Sequence, residues 1–142
     1  MSPRSKARGL PLHEPSTWFV LALSALFVGL GGLFVLAPRL GAALFGLPAP
    51  EGASLGYLPA IGLRDLAFGL YLFALARLAT ARAVATVLAI TTLIPAGDVA
   101  IVALERGLSS PGHLLLHAAS GATMAAGAAW LFHRSHQGDT SP

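Results

Sequence analysis

The sequence contains no cysteine and few charged residues. Without cysteine, disulfides, thiolate metal sites and cysteine nucleophiles are excluded. Charged residues make up 11% of the 142 positions, whereas a soluble domain carries about 25%. The net charge of +3 does not indicate a nucleic-acid partner. Since 55% of the residues are apolar, these absences together predict a polytopic membrane protein.

Four apolar segments are long enough to cross a bilayer, which takes about 20 helical residues. We predict helices over residues 17–37, 59–78, 83–104 and 111–132. The leucine-rich stretch at 40–47 predicts an interfacial segment between the first two helices. Short links at 80–82 and 107–109 make the last three helices antiparallel neighbours. The predicted fold is an all-α membrane protein, a four-transmembrane-helix antiparallel bundle.

The basic residues predict the orientation of the bundle, because Lys and Arg are enriched in cytoplasmic loops. The transmembrane domain should cover residues 16–134, with a flexible tail at 1–15 and a second tail at 135–142. One side of the membrane has only Arg39 and Arg106. The opposite side has Arg4, Lys6, Arg8, Arg77, Arg82 and Arg134. We therefore expect a protein of the cell membrane whose termini are both cytoplasmic.

Four charged or titratable side chains lie inside the apolar segments, namely Arg64, Asp65, Asp98 and His117. At about 1.5 Å per residue, antiparallel threading places all four roughly 6–9 Å below the outer interface. Charges in hydrocarbon are costly and usually mark a site. Structural interpretations remain open as well: Arg64 could snorkel or pair with a carboxylate, and His117 could donate one hydrogen bond within a packed core.

Residues near Asp98 support a site in the third helix. Pro95 cannot donate a hydrogen bond to the carbonyl of Thr91, which predicts a kink and a free carbonyl. Gly97 would allow a ligand or another helix to approach closely. We predict as catalytic residues Asp98, Asp65, Arg64 and His117, and as substrate-binding residues Tyr71, Phe68, Gly97 and Thr91.

Part of the sequence resembles an uncharacterised family. Residues 62–70 (GLRDLAFGL), followed by Gly97-Asp98 and a histidine early in the fourth helix, resemble the small four-helix membrane proteins of domain of unknown function 4267. These are similar in outline to DoxX-like proteins. The resemblance covers roughly residues 17–133 and implies the four-helix architecture, with no settled activity.

Four kinds of function are consistent with these residues. In an enzyme, Asp65 and Asp98 would act as an acid/base pair with one carboxyl ionised and the other protonated, helped by Arg64 or His117. Such a site suits epoxide opening, cyclisation or isomerisation of a lipophilic small molecule or lipid, without a cofactor. A zinc site would use His113 and His117 with Asp98 or Asp65 as third ligand. A proton-linked or ligand-binding transporter would need a homodimer, and in an accessory subunit the polar residues would only fix helix packing.

The predicted topology can be tested by cysteine labelling, because the natural chain has no cysteine to interfere. Ser54→Cys lies in the segment expected outside and should react with an impermeant maleimide in intact cells. Gly138→Cys lies in the C-terminal tail and should react only after lysis. The reverse labelling pattern would place both termini outside and move the polar residues to the inner leaflet.

Overall fold

The computed structural model describes residues 9–139, and its regular elements are all helical. The helices are α1 Pro15–Leu36, α2 Pro38–Phe45, α3 Tyr57–Leu78, α4 Ala81–Thr91, α5 Leu93–Arg106 and α6 Pro111–Asp139. Short 3-10 turns at Gly52–Gly56 and Gly107–Ser109 precede α3 and α6. No strand occurs within residues 9–139, so the all-α prediction is confirmed.

Four helical segments are long and apolar enough to cross a membrane. They are Pro15–Leu36, Gly52–Leu78, Ala81–Ser109 and Pro111–His136. The predicted bundle of four membrane-spanning helices is therefore confirmed in its architecture. The remaining helix, α2, is only eight residues long and lies between the first two spans.

The bundle is built from two helix pairs. Helix α1 packs along α3, and the α4–α5 segment packs along α6, with few contacts between α1 and α6. A hydrophobic core joins the pairs at the end of the bundle that contains Leu10 and the C-terminal half of α6. Its fully buried members are Val20, Leu72, Ala76, Val84, Leu88 and Leu131. At the opposite end, where α2 lies, the two pairs are held apart and leave a cavity.

Glycines allow α1 and α3 to approach closely. A Cβ atom added at Gly31 would lie 2.6 Å from the carbonyl oxygen of Gly62, and one added at Gly69 would lie 2.8 Å from the carbonyl oxygen of Ser24. The Ser24 hydroxyl donates a 2.7 Å hydrogen bond to the carbonyl of Gly69. Small residues and hydroxyl groups of this kind stabilise helix pairs within membranes. Close approach of the two backbones therefore helps to join the first pair.

The third span was predicted as one continuous helix over residues 83–104, but the structure divides it into two helices. The helix is interrupted at Thr92, between α4 and α5. The Thr92 hydroxyl donates to the carbonyl of Ala89 at 2.6 Å, and the Thr91 hydroxyl donates to that of Val87 at 2.7 Å. Because Pro95 has no N–H for the carbonyl of Thr91, the regular helical bonding cannot continue here. Pro95 thus accounts for the interruption of the helix, and the threonine hydroxyls donate hydrogen bonds to nearby backbone carbonyls.

The ends of the chain are more regular than expected for two tails. Residues 1–8 and 140–142 lie outside the part of the chain that the structure describes. The two predicted tails can therefore be compared with the structure only over residues 9–15 and 135–139. The backbone N–H of Leu10 donates to the carbonyl of Ala76 at 2.7 Å, and that of Gly9 donates to the carbonyl of Ala79 at 3.2 Å. At the other terminus α6 continues to Asp139, past position 135 where a tail was predicted. Gly9 and Leu10 therefore dock onto the end of α3.

Two adjacent glycines of α1 provide a matched test of this packing. Gly31→Ala should lower the melting temperature in detergent, because its Cβ meets the backbone of α3, and such overpacking costs about 1–3 kcal/mol. Gly32→Ala is the control, since a Cβ there meets nothing within 4 Å. The control should be neutral or stabilising, by up to about 1 kcal/mol from helix propensity. Equal melting temperatures for the two variants would contradict the close α1–α3 approach.

Candidate functional site

A cavity of about 330 Å³ lies between the two helix pairs. Its walls come from α1, α2, α3, α5 and α6, and most of the lining is apolar. The apolar lining includes Leu26, Leu30, Phe34, Phe45, Ile94 and Met124. The charged or titratable lining residues are Arg64, Asp65, Asp98 and His117. The structure therefore brings all four predicted catalytic side chains to one cavity.

Asp98 and His117 face each other across the interface between α5 and α6. His117 Nδ1 lies 3.6 Å from Asp98 Oδ2, and the two side chains are only 10% and 20% exposed. This is an ion-pair distance and is slightly longer than a direct hydrogen bond. Distances of this kind in unliganded sites often shorten when the substrate binds. The pair is thus placed for proton transfer at the wall of an apolar cavity.

The second nitrogen of His117 fixes the proton distribution on the ring. His117 Nε2 lies 2.9 Å from the carbonyl oxygen of Phe45. A carbonyl only accepts hydrogen bonds, so Nε2 must carry a hydrogen and donate it. Nδ1 is then either protonated, giving an imidazolium, or a bare acceptor facing Asp98. A bare acceptor beside an ionised carboxylate would be repulsive, so one proton between the two groups would make their contact favourable.

Helix α2 closes one side of the cavity and is held by side chains of the second helix pair. Its C-terminal carbonyls have no partners within the helix and need external donors. His113 Nε2 lies 3.1 Å from the carbonyl oxygen of Ala43. The guanidinium of Arg106 donates to the carbonyl of Gly46 at 3.1 Å. Together with the His117–Phe45 bond, these contacts attach α2 across the gap between the pairs.

The close approach at the end of α2 depends on a glycine. Gly46 has φ of 98°, a left-handed conformation that glycine adopts without strain. A Cβ at this position would lie 2.5 Å from the His113 ring. Glycine therefore both ends α2 and allows α6 to reach its terminal carbonyls. The sequence interpretation treated this stretch as an interfacial segment and did not identify it as a wall of the site.

Arg64 and Asp65 form an ion pair between adjacent residues of α3. The Nε and Nη2 atoms of Arg64 lie 3.1 Å and 3.0 Å from Asp65 Oδ1. The Arg64 side chain is 54% exposed, whereas that of Asp65 is 12% exposed. The long arginine side chain bends back, although adjacent helical positions point about 100° apart. Arg64 therefore reaches the outer surface and the cavity at once, and its direct carboxylate partner is Asp65, not Asp98.

The predicted substrate-binding residues lie away from the cavity lining. Tyr71 is 64% exposed on the outside of α3. Phe68 packs edge-on against Phe27 at 4.8 Å, behind the cavity wall. Thr91 is buried with its hydroxyl bound within its own helix, and an added Cβ at Gly97 would meet nothing within 4 Å. None of the four belongs to the cavity lining, and their role in substrate binding stays a prediction.

The residues that do line the cavity beside the polar pairs were not indicated by the sequence. Phe45 packs against the His117 ring, with ring centroids 4.8 Å apart. Ser120 and Thr123 follow His117 by three and six positions on α6 and add hydroxyl groups to the lining. A spacing of three residues from His117 could have identified Ser120, whereas Thr123 lies six positions on, about 120° around the helix. Phe45 could not have been found this way, because its contact depends on how α2 docks.

The alternative zinc site is not assembled. His113 uses Nε2 on the carbonyl of Ala43 and Nδ1 on the Ser110 hydroxyl at 2.8 Å. His117 uses Nε2 on Phe45, so only one ring nitrogen of the proposed ligands faces Asp98. Within residues 9–139, no group of three or more His, Asp or Glu side chains is arranged to hold a metal ion. The proposed set of His113, His117 and Asp98 is corrected accordingly.

Comparison with known proteins identifies a family but no relative with an assigned activity. No curated protein matches the chain, and no solved structure matches it. One family model, described as "Domain of unknown function (DUF4267)", matches residues 24–131. This range contains all four polar residues of the cavity together with α2 and its contacts. The chain therefore belongs to the DUF4267 family.

Proposed function

We propose that this protein is an integral membrane enzyme that performs cofactor-independent acid–base chemistry on a lipophilic small molecule. The observation that carries the proposal is the Asp98–His117 pair, whose atoms lie 3.6 Å apart beside a largely apolar cavity. The Phe45 carbonyl fixes the tautomer of His117 so that Nδ1 faces the carboxylate. An oriented histidine and a carboxylate are the usual components of general acid–base catalysis.

Epoxide hydration illustrates how the shared proton would be used. The Asp98–His117 pair gives its proton to the epoxide oxygen as the carbon–oxygen bond breaks. The oxygen of a water molecule forms a new bond to the same carbon, and the water loses a proton to the pair. The products are a diol and a pair that again holds one proton, so no other reactant is consumed. Pairs that share one proton can act as acid and base in turn.

In this proposal the Arg64–Asp65 pair stabilises charge rather than transferring protons. Asp65 is bound by the guanidinium through one oxygen, so we assign it to holding Arg64 rather than to the acid role expected from the sequence. Arg64 lines the cavity and carries further N–H donors. Fixed donors that face a developing alkoxide stabilise it strongly in a site of low dielectric constant. His117 replaces Asp65 as the partner of Asp98 in proton transfer.

We further propose that the protein resides in the cell membrane with both termini in the cytoplasm. The contacts of residues 9 and 10 with the end of α3 place the N-terminal segment beside Arg77 and Arg82. Arg134 of α6 pairs with Glu14 at 3.0 Å, so the C-terminal end of α6 lies at the same end of the bundle. The excess of basic residues at this end favours a cytoplasmic location, and the cavity then lies in the outer half.

The catalytic proposal is tested by turnover of a lipophilic epoxide such as 1,2-epoxydecane by the purified protein in detergent. Asp98→Asn keeps the shape of the side chain but cannot take up a proton, and should lower kcat by about 10²–10⁴-fold. His117→Ala should lower it by a similar factor, because either residue alone cannot hold the shared proton. The double variant should be no slower than the single variants, since residues that act as a unit are not additive.

His133→Ala is the matched control, because it removes another histidine of α6 that does not line the cavity. It should keep most of the activity. In parallel, each variant's melting temperature shows whether it is folded. A folded Asp98→Asn variant with full activity would overturn the mechanism. Absence of turnover by the wild-type protein, with pH-driven uptake of a solute into liposomes that requires Asp98, would favour proton-linked transport instead.

A further inference from the structure

Resting on the proposed function, we infer that the cavity selects uncharged lipophiles with one oxygen-bearing polar group, and excludes carboxylates and amines of the same size. The inference follows from the charges that line the cavity and from their pairing. It names a substrate class for the site that neither the family nor the fold assigns.

The charged and titratable groups of the cavity lining sum to zero. The Arg64 guanidinium and the Asp65 carboxylate neutralise each other at 3.0 Å. In the proposed mechanism one proton lies between Asp98 and His117, and this pair is then also neutral, whether the proton is on the imidazole or on the carboxyl group. The remaining lining side chains carry no formal charge. The cavity is therefore electroneutral in both proton arrangements.

A charged ligand would upset this balance. Transfer of an ion from water to an apolar environment is strongly unfavourable unless a counter-ion compensates it. Here each fixed charge already has a partner, so an incoming carboxylate or ammonium group would have to displace one. Breaking a buried pair leaves an uncompensated charge behind. A neutral ketone, epoxide or alcohol avoids this cost and can still accept a hydrogen bond.

The distribution of polar groups limits the ligand to one polar end. The Asp98–His117 and Arg64–Asp65 pairs provide the charged groups, whereas the walls from α1 and α2 provide leucine and phenylalanine side chains. A hydrocarbon chain fits these walls without leaving polar atoms unsatisfied. The volume of about 330 Å³ is at the lower end of the range for ligand pockets, about 300–1,000 Å³. A medium-chain molecule with one terminal polar group therefore matches both the lining and the size.

The experiment measures binding of 2-decanone, decanoate and decylamine to the detergent-purified protein at neutral pH by native mass spectrometry. The three probes share a chain length and differ in charge. The wild-type protein should bind the ketone about tenfold more tightly than either ion. Asp65→Asn leaves Arg64 unneutralised and should shift the preference to decanoate by about tenfold. Arg64→Gln leaves Asp65 unneutralised and should shift it to decylamine.

Matched controls change the net charge without changing the cavity. Glu105→Gln and Arg82→Gln alter exposed residues outside the cavity lining and should keep the wild-type preference. If the wild-type protein prefers an ion, or binds none of the probes, the inference is overturned. The same holds if the two cavity variants keep the preference for the ketone. Binding is measured without turnover. If the selectivity is absent while turnover still depends on Asp98, only the substrate class is refuted, and the proposed function is not.

Discussion

The hydrogen bond between His117 and the carbonyl of Phe45 is the contact on which the candidate site depends. At 2.9 Å it joins α6 to the end of α2 and so attaches the first helix pair to the second. It also determines which ring nitrogen carries the hydrogen, and thereby which nitrogen faces Asp98. One contact thus contributes to the position of a wall of the cavity and to the chemistry inside it. In an apolar environment an unmet carbonyl is costly, which stabilises this arrangement further.

The cavity exists because the two ends of the bundle are packed differently. At the end that contains residue 10 and the C-terminal half of α6, large apolar side chains of both pairs meet in one core. Towards α2, the third span is interrupted at Thr92, three residues before Pro95. Meanwhile Gly31, Gly62 and Gly69 hold α1 against α3. The first pair is therefore closely packed within itself, and the cavity remains between the two pairs.

Much of the architecture could be predicted from the sequence because membrane spans depend on length and hydropathy, both of which are local properties. The antiparallel order of the spans was also sufficient to predict that Arg64, Asp65, Asp98 and His117 lie close together. Which of these charged residues form ion pairs with each other could not be predicted equally well. Arg64 binds its neighbour Asp65 because a long flexible side chain can bend back along the helix, which residue spacing alone does not show.

Side-chain direction around the helix was the second property that the sequence did not determine. Tyr71 and Gly97 lie within two turns of the polar residues, yet their side-chain positions face away from the cavity. The four apolar spans have hydrophobic residues on all sides, so no polar face marks the inside as it does in a soluble protein. Phe45 was missed for a related reason, since its role appears only when α2 docks on α6.

The site belongs to neither helix pair alone, and this has a consequence for its chemistry. Arg64 and Asp65 come from α3, whereas Asp98 and His117 come from α5 and α6. Arg64 and Asp65 pair within α3, and Asp98 and His117 face each other within the second helix pair. The contacts that cross the gap run through the end of α2, where carbonyl oxygens meet Arg106, His113 and His117. Among the four residues of the site, no charge of one helix pair is therefore needed to neutralise a charge of the other, and hydrogen bonds to α2 join the pairs instead.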